Sequence, residues 1–288
     1  MIFGCGYVGS ALAKHCLAKG VRVGALTRNA EKAEGLKSMG VSEVVLGDLD
    51  ATDWHSELKQ SYEVVVNCVS SAGGGIDGYR KSYLEGQASI LRWADGQSIR
   101  RYLYTSSTSV YPQDGGIEVD ESADTRAAPE TGKVILQSEQ LIEAAAAKFE
   151  RWFVLRLAGI YGPGRHYLLD QLKDGVGVIP GSGDHTLNLI HLDDIVSALC
   201  AAMTTNQAAS GIYNIADNTP SLKHELLEWL AAELDLPPPQ FDPANVSPRL
   251  ARRGGRMPDR KILNTKARAQ LGWSPKYPSF REGYRRLM

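Results

Sequence analysis

Apolar residues in the first two-thirds of the chain fall into short runs, separated by stretches where they recur every three or four positions. The runs at 2–3, 21–26, 43–46, 64–68, 102–105, 153–157 and 211–215 read as strands, and the stretches at 11–18 and 135–147 as amphipathic helices. Such alternation predicts repeated βα units on a parallel sheet, and right-handed crossovers then make that sheet doubly wound. Beyond about residue 158 the pattern turns irregular. Gly- and Pro-rich loops at 161–184 and 236–258 flank one strong helix at 222–234. The pattern therefore predicts an α/β sheet domain (1–160 plus about 186–218) with a smaller C-terminal substrate lobe (about 161–185 and 219–288).

The first strand runs into Gly4-Cys5-Gly6-Tyr7-Val8-Gly9, followed by a helix start and a second strand. In that context the three glycines form a Rossmann fingerprint. Gly4 permits the tight turn, Gly6 lets the backbone approach a pyrophosphate, and Gly9 allows close helix–strand packing. The backbone of Tyr7 and Val8 at the helix start adds partial positive charge. An NAD site usually ends its second strand in Asp or Glu, whereas here Leu26-Thr27-Arg28-Asn29 stands in that place. Arg28 beside Thr27 suits a 2′-phosphate, which favours NADP over NAD, the other reading being a solvated loop arginine. Only three residues precede the motif, so the first strand is expected to be clipped and the physiological chain to start upstream of Met1.

Composition narrows the classes. The 288 residues carry 32 basic and 33 acidic side chains, a balance that points to neither nucleic acid nor membrane as a partner. No apolar stretch is long enough for a membrane span, and no basic-then-apolar leader opens the chain. The four cysteines, Cys5, Cys16, Cys68 and Cys200, lack metal-ligand spacing and read as core fillers in a reducing cytoplasm, with no metal site expected.

With Asp48 after the third strand, Asn67 to Ser70 after the fourth, and Ser106-Ser107-Thr108-Ser109-Val110-Tyr111 after the fifth, the chain resembles the short-chain dehydrogenase/reductase superfamily. The likeness is to its extended and atypical branches, related to nucleotide-sugar epimerases and dehydratases, and it spans essentially the whole chain. It implies that Asp48 approaches the adenine, that Asn67 and Ser70 line the cofactor, and that Ser107 is the catalytic hydroxyl. Three later segments continue the resemblance: Arg156 to His166 with its Tyr161-Gly162-Pro163-Gly164, His191 to Asp194, and Asn264 to Pro275. From these, Arg165 and His166 are candidate contacts to an anionic substrate, while His191 and the adjacent aspartates read as a brace at the lobe junction. The basic run Arg249, Arg252, Arg253, Arg256, Arg260 and Lys261 offers Arg256 to a substrate diphosphate, or else is a solvated loop face. A small molecule is the implied substrate, a nucleotide sugar or another carbonyl or hydroxyl compound, and pairing of two copies through helices flanking the sheet is implied as well.

The departure falls on the catalytic pair. Active relatives carry Tyr-x-x-x-Lys after the fifth strand, the phenol serving as acid or base. Anchoring on Glu139 puts Thr131 in the tyrosine's place and Ile135 in the lysine's, and using Lys133 as the lysine brings Pro129 to the tyrosine position. None of the 12 tyrosines has a lysine four residues on. Substitute groups, in order, are Tyr111, Ser107, Thr131 and Lys133, although Tyr111 equally suits packing beneath its loop. The expected function is therefore an NADP- or NAD-dependent oxidoreductase or epimerase-like enzyme with an atypical site. The alternative is a catalytically silent NADP(H)-binding sensor.

Overall fold

A computed structural model describes residues 1–71, 73–245 and 257–288. Arg249, Arg252, Arg253 and Arg256 lie outside the described residues. Seven parallel strands form the main sheet: β1 (Ile2–Phe3), β2 (Gly24–Thr27), β3 (Glu43–Leu46), β4 (Val64–Asn67), β5 (Arg101–Ser107), β6 (Arg151–Leu157) and β7 (Gly211–Ile215). Their order is β7-β6-β5-β4-β1-β2-β3. The direction of winding reverses at β1, which opens a crevice at the carboxyl ends of the strands.

Alternation along the strands builds the two faces. Leu103, Phe153 and Leu155 join Leu12 and Ala13 of α1 (Tyr7–Ala18) and Ile195, Ala198 and Leu199 of a helix at Leu192–Thr204 in one apolar cluster. On the opposite face Tyr102, Tyr104 and Val154 pack with Phe3, Trp54, Ile90 and Trp93. Each fully buried large side chain contributes about 1.5–3 kcal/mol, so both layers hold the sheet against chain entropy. The second helix, α2 (Ala30–Met39), is capped by the Asn29 side chain accepting from Lys32 N–H and ends at Gly40 with φ of 99°.

A third cluster gathers Leu168, Leu169, Leu172 and Ile179 with Leu226, Leu227 and Leu230 of the helix Lys223–Glu233, and with Phe280 and Tyr284 near the C-terminus. This cluster is separate from the two that flank the sheet. The chain does not stay there, however, after residue 219. Ala267, Leu271 and Trp273 pack into the main-domain cluster instead, because Thr265–Leu271 presents its apolar face to the sheet.

Beneath the carboxyl ends of β5 to β7 runs one buried polar chain. Ser106, Arg156 and Asn214 are register partners across three strands. From below, Glu139 of α3 (Glu130–Ala144) accepts from Arg156 at 3.0 and 2.6 Å and from Ser106 Oγ at 2.5 Å. Arg156 also donates to the Tyr111 hydroxyl at 2.9 Å, which donates onward to Asn214 Oδ1 at 2.7 Å. Every member is partnered, which is the condition under which burial of such groups is tolerated. Glu139→Ala would leave the guanidinium buried and uncompensated. It is expected to cost about 3–5 kcal/mol, measured as the midpoint shift in urea unfolding.

The Met1 ammonium is buried and donates to Val64 O at 2.7 Å. Burial lowers its pKa from 8.0 to about 5. Between those two values the unfolded state binds the extra proton, so a chain that starts at Met1 gains stability as pH rises from 5 to 8. Matched unfolding curves across that range, together with an N-terminally acetylated control lacking the slope, check this.

Candidate cofactor and active-site cleft

The crevice at the winding reversal is a cleft of about 670 Å³. Its middle is the glycine turn. Gly4 has φ of 83°, and a Cβ there would stand 2.7 Å from the backbone of Val69. A Cβ on Gly9 would stand 2.4 Å from Gly4 O, so both glycines are demanded by packing. Around Gly6, by contrast, nothing lies within 4 Å of the position a Cβ would take. The helix that follows has no side-chain N-cap and no acidic residue in its first turn, which leaves its N–H groups to an anion. Gly4, Gly6, Tyr7 and Val8 all wall the cleft, while Gly9 lies behind it and sets the approach of α1. Together these features fit a dinucleotide pyrophosphate.

Toward the β2 end the cleft is lined by Thr27, Arg28, Asn29 and Lys32, and then by Asp48, Leu49 and Asp50. Arg28 and Lys32 are both exposed there. Lys32, one turn into α2, is a cation that the sequence analysis passed over; its signal is the spacing of four from Arg28. Lys81 also reaches this region and stands 3.5 Å from Asp50.

At the other end the walls are Thr105, Ser106 and Ser107 from β5, the segment from Leu157 at the end of β6 to Ile160, and Arg165. Ser107 Oγ accepts from Ser109 N–H at 3.1 Å, and its own proton remains to donate. Arg165 lies over the Tyr7 ring at 5.6 Å from its centroid. Tyr7 Oη donates to Pro163 O at 2.9 Å, pinning the lobe loop to the glycine turn. Ser70 and Tyr83 complete the wall beside β4.

Several expected site residues are placed elsewhere. Tyr111 does not face the cleft: its ring is buried and its hydroxyl is committed to Arg156 and Asn214, with burial raising its pKa. Its hydroxyl thus belongs to the buried network beneath the strand ends. Asn67 is fully buried, donating to Gln87 Oε1 at 2.8 Å and accepting from Val69 N–H at 3.0 Å, so it shapes the wall and is not part of it. Thr131 and Lys133 sit on α3 and line no part of the cleft. His166 Nδ1 lies 2.9 Å from Asp170 Oδ1, close enough for an ion pair but outside hydrogen-bond geometry, and it too is away from the cleft. Arg260 donates to Thr108 O at 3.0 Å, bracing the loop after Ser107.

The His191 segment is likewise structural in its contacts. Asp194 accepts from the backbone N–H groups of Lys276 and Tyr277, and burial raises its pKa to about 6. His191 Nδ1 accepts from Asp193 N–H at 3.2 Å. Among the described residues, no group of three or more His, Cys, Asp or Glu side chains converges as a metal site, and no helix is long and apolar enough to cross a membrane.

Comparison with known proteins agrees with this geometry. Residues 1–216 match the family model of the NAD dependent epimerase/dehydratase family. The chain is similar to the 3-diazoavenalumate denitrifying reductase of a Streptomyces species, 28% identical over 302 residues that cover 96% of each protein. It is similar also to Protein YeeZ of Escherichia coli K12, 28% identical over 252 residues covering 83% of this chain and 85% of that one. Among solved structures, UDP-glucuronic acid 4-epimerase from Bacillus cereus in complex with NAD superposes with a TM-score of 0.80 at 21% identity, covering 98% of this chain and 94% of that one, a likeness of fold. With the family model spanning most of the chain, and the glycine turn, switch-point cleft and β5 hydroxyls in place, the protein belongs to the NAD dependent epimerase/dehydratase family.

Proposed function

We propose that this protein is an NADP(H)-dependent reductase of a small, electrophilic substrate. The observation that carries this is the continuity of the cleft. One cavity runs from two cations at the end of β2, past the uncapped helix start, to a serine hydroxyl free to donate at the end of β5. Arg28 and Lys32 would hold the 2′-phosphate, the backbone from Gly6 to Val8 the pyrophosphate, and Asp48 the adenine side. When bound, the reduced nicotinamide supplies a hydride. Ser107 would polarise the substrate oxygen as charge develops on it, and Arg165, at the mouth, would orient an anionic group.

Reduction is favoured over epimerisation by the state of the cleft's acid–base groups. An epimerase must first remove a hydroxyl proton, which calls for a phenol whose pKa a neighbouring lysine has depressed. Here Thr131 and Ile135 replace that pair, and the cleft phenols Tyr7 and Tyr83 both have raised pKa values, chiefly through burial. Groups of that kind donate protons and do not abstract them. A reductase needs only donation. The relative that matches end to end is named a reductase, which supports the same choice. A silent sensor would leave the β5 end of the cavity without purpose.

Two measurements test the cofactor assignment. Arg28→Glu is expected to weaken NADPH binding about 10- to 100-fold, the equivalent of one lost charge-assisted contact, while leaving NADH affinity nearly unchanged. Tighter binding of NADH than NADPH by the unaltered protein would refute the preference. Gly6→Ala should keep the thermal midpoint within a few degrees, because no atom is near the new methyl, yet weaken NADPH at least about tenfold by obstructing the pyrophosphate path. NADPH oxidation against a panel of quinones, aldehydes, ketones and diazo compounds then tests the reaction class, and turnover unaffected by Ser107→Ala would remove Ser107 from it.

A further inference from the structure

Between residues 75 and 93 the chain runs as one interrupted helix: α-helical at Gly75–Tyr79, π-helical at Arg80–Glu85 and α-helical again at Gly86–Trp93. A π-turn carries one residue more than an α-turn and re-aims its side chains, and such turns are found disproportionately at functional sites. Here the residues it brings to the cleft are Lys81, Ser82 and Tyr83. Lys81 turns to Asp50 on the adenine side. Tyr83 is held from two directions: its ring lies 5.2 Å from that of Tyr79, and its carbonyl accepts from Ser138 Oγ at 2.8 Å. The backbone and hydroxyl of Ser71 act on its phenol to lower the pKa, against the larger raising effect of burial. Ser138 belongs to α3, the helix in which Thr131 and Ile135 replace the usual pair. That helix no longer presents a phenol; it braces one on its neighbour.

We propose that Tyr83 is the proton donor of this site, taking the part of the phenol that Thr131 has displaced. The inference rests on the reductase assignment above. As hydride from the reduced nicotinamide dinucleotide forms a C–H bond at the substrate's carbonyl carbon, the π pair moves to oxygen, and the Tyr83 proton goes to that oxygen. The phenolate left behind is held by the two Ser71 donors and takes its proton back from solvent. Other cleft groups serve less well. Tyr7 has committed its proton to Pro163 O, and the Ser107 alkoxide is too basic to be left as a free anion. Before reaction, burial keeps Tyr83 protonated, as a donor must be.

The test reads the phenol directly. Tyrosinate absorbance is followed through alkaline titration with saturating NADPH and, separately, with saturating NADP⁺, whose cationic nicotinamide ring favours a nearby phenolate. One tyrosine is expected to titrate about one pH unit lower with NADP⁺. Tyr83→Phe should abolish that difference while binding NADPH within about threefold of the unaltered protein, and Tyr79→Phe should retain it. Ser71→Ala, which removes one donor and little packing, should move the same titration upward. A cofactor-dependent difference that persists in Tyr83→Phe, or is indifferent to Ser71→Ala, would overturn the proposal. Failure of the unaltered protein to bind either cofactor would instead overturn the reductase assignment, and this inference with it. With a reducible quinone or aldehyde as probe, Tyr83→Phe should lower kcat about 100-fold and abolish the solvent isotope effect, leaving KM for NADPH nearly unchanged.

Discussion

The ion pair between Glu139 and Arg156 is the constraint on which the working end of this molecule depends. Two charges taken out of water are tolerated only with excellent geometry and with every remaining donor and acceptor met. Those conditions fix a good deal around them. Glu139 must lie under β5 and β6, which sets the rotation of α3. Ser106 on one flanking strand donates to Glu139, and Arg156 donates to the Tyr111 hydroxyl, whose own proton goes to Asn214 on the other flanking strand. Ser107, one residue on from Ser106, is left with its hydroxyl at the cleft.

The same ion pair accounts for the placement of α3. Glu139 is an anchor for the expected register because it is fixed by charge, and with it in place Ile135 falls one turn earlier at 1% exposure and Thr131 a further turn back. The helix is retained because the network and the packing of Val134, Ile135 and Ile142 need it. Neither requires a phenol or a lysine on its first turns. The packing and the buried network of this helix are therefore met whatever side chain stands at position 131.

Much of this was legible in the sequence. Periodicity located the seven strands, and the glycine turn located the cleft, because both are local rules of backbone and side-chain alternation. The positions of Arg28, Asp48, Ser70 and Ser107 along the cleft follow from their places at strand ends. What could not be read depends on partners far apart in the chain. The Tyr111 hydroxyl meets Asn214, more than a hundred residues away, and Asn67 turns from the cleft to Gln87. The place of Tyr83 on the cleft wall was hidden for a different reason: a π-turn breaks the period from which a residue's helix face is read. Arg260, in a run of basic residues that suggested a phosphate site, donates instead to Thr108 O in the loop it braces.

An asymmetry in proton demand ties cleft and chemistry together. Interconversion of a sugar hydroxyl and a ketone needs one group that is a base in one direction and an acid in the other, so its pKa must sit near neutrality. A phenol reaches that range only with a cation beside it. Reduction in one direction relaxes the requirement, since a donor with a high pKa suffices when the accepting oxygen becomes strongly basic during hydride arrival. An enzyme committed to reduction can dispense with the lysine and keep any buried phenol that has donors for its anion. The cleft matches that simpler demand: burial raises the pKa of both Tyr7 and Tyr83, and at Tyr7 it outweighs the lowering effect of the Arg165 guanidinium over the ring.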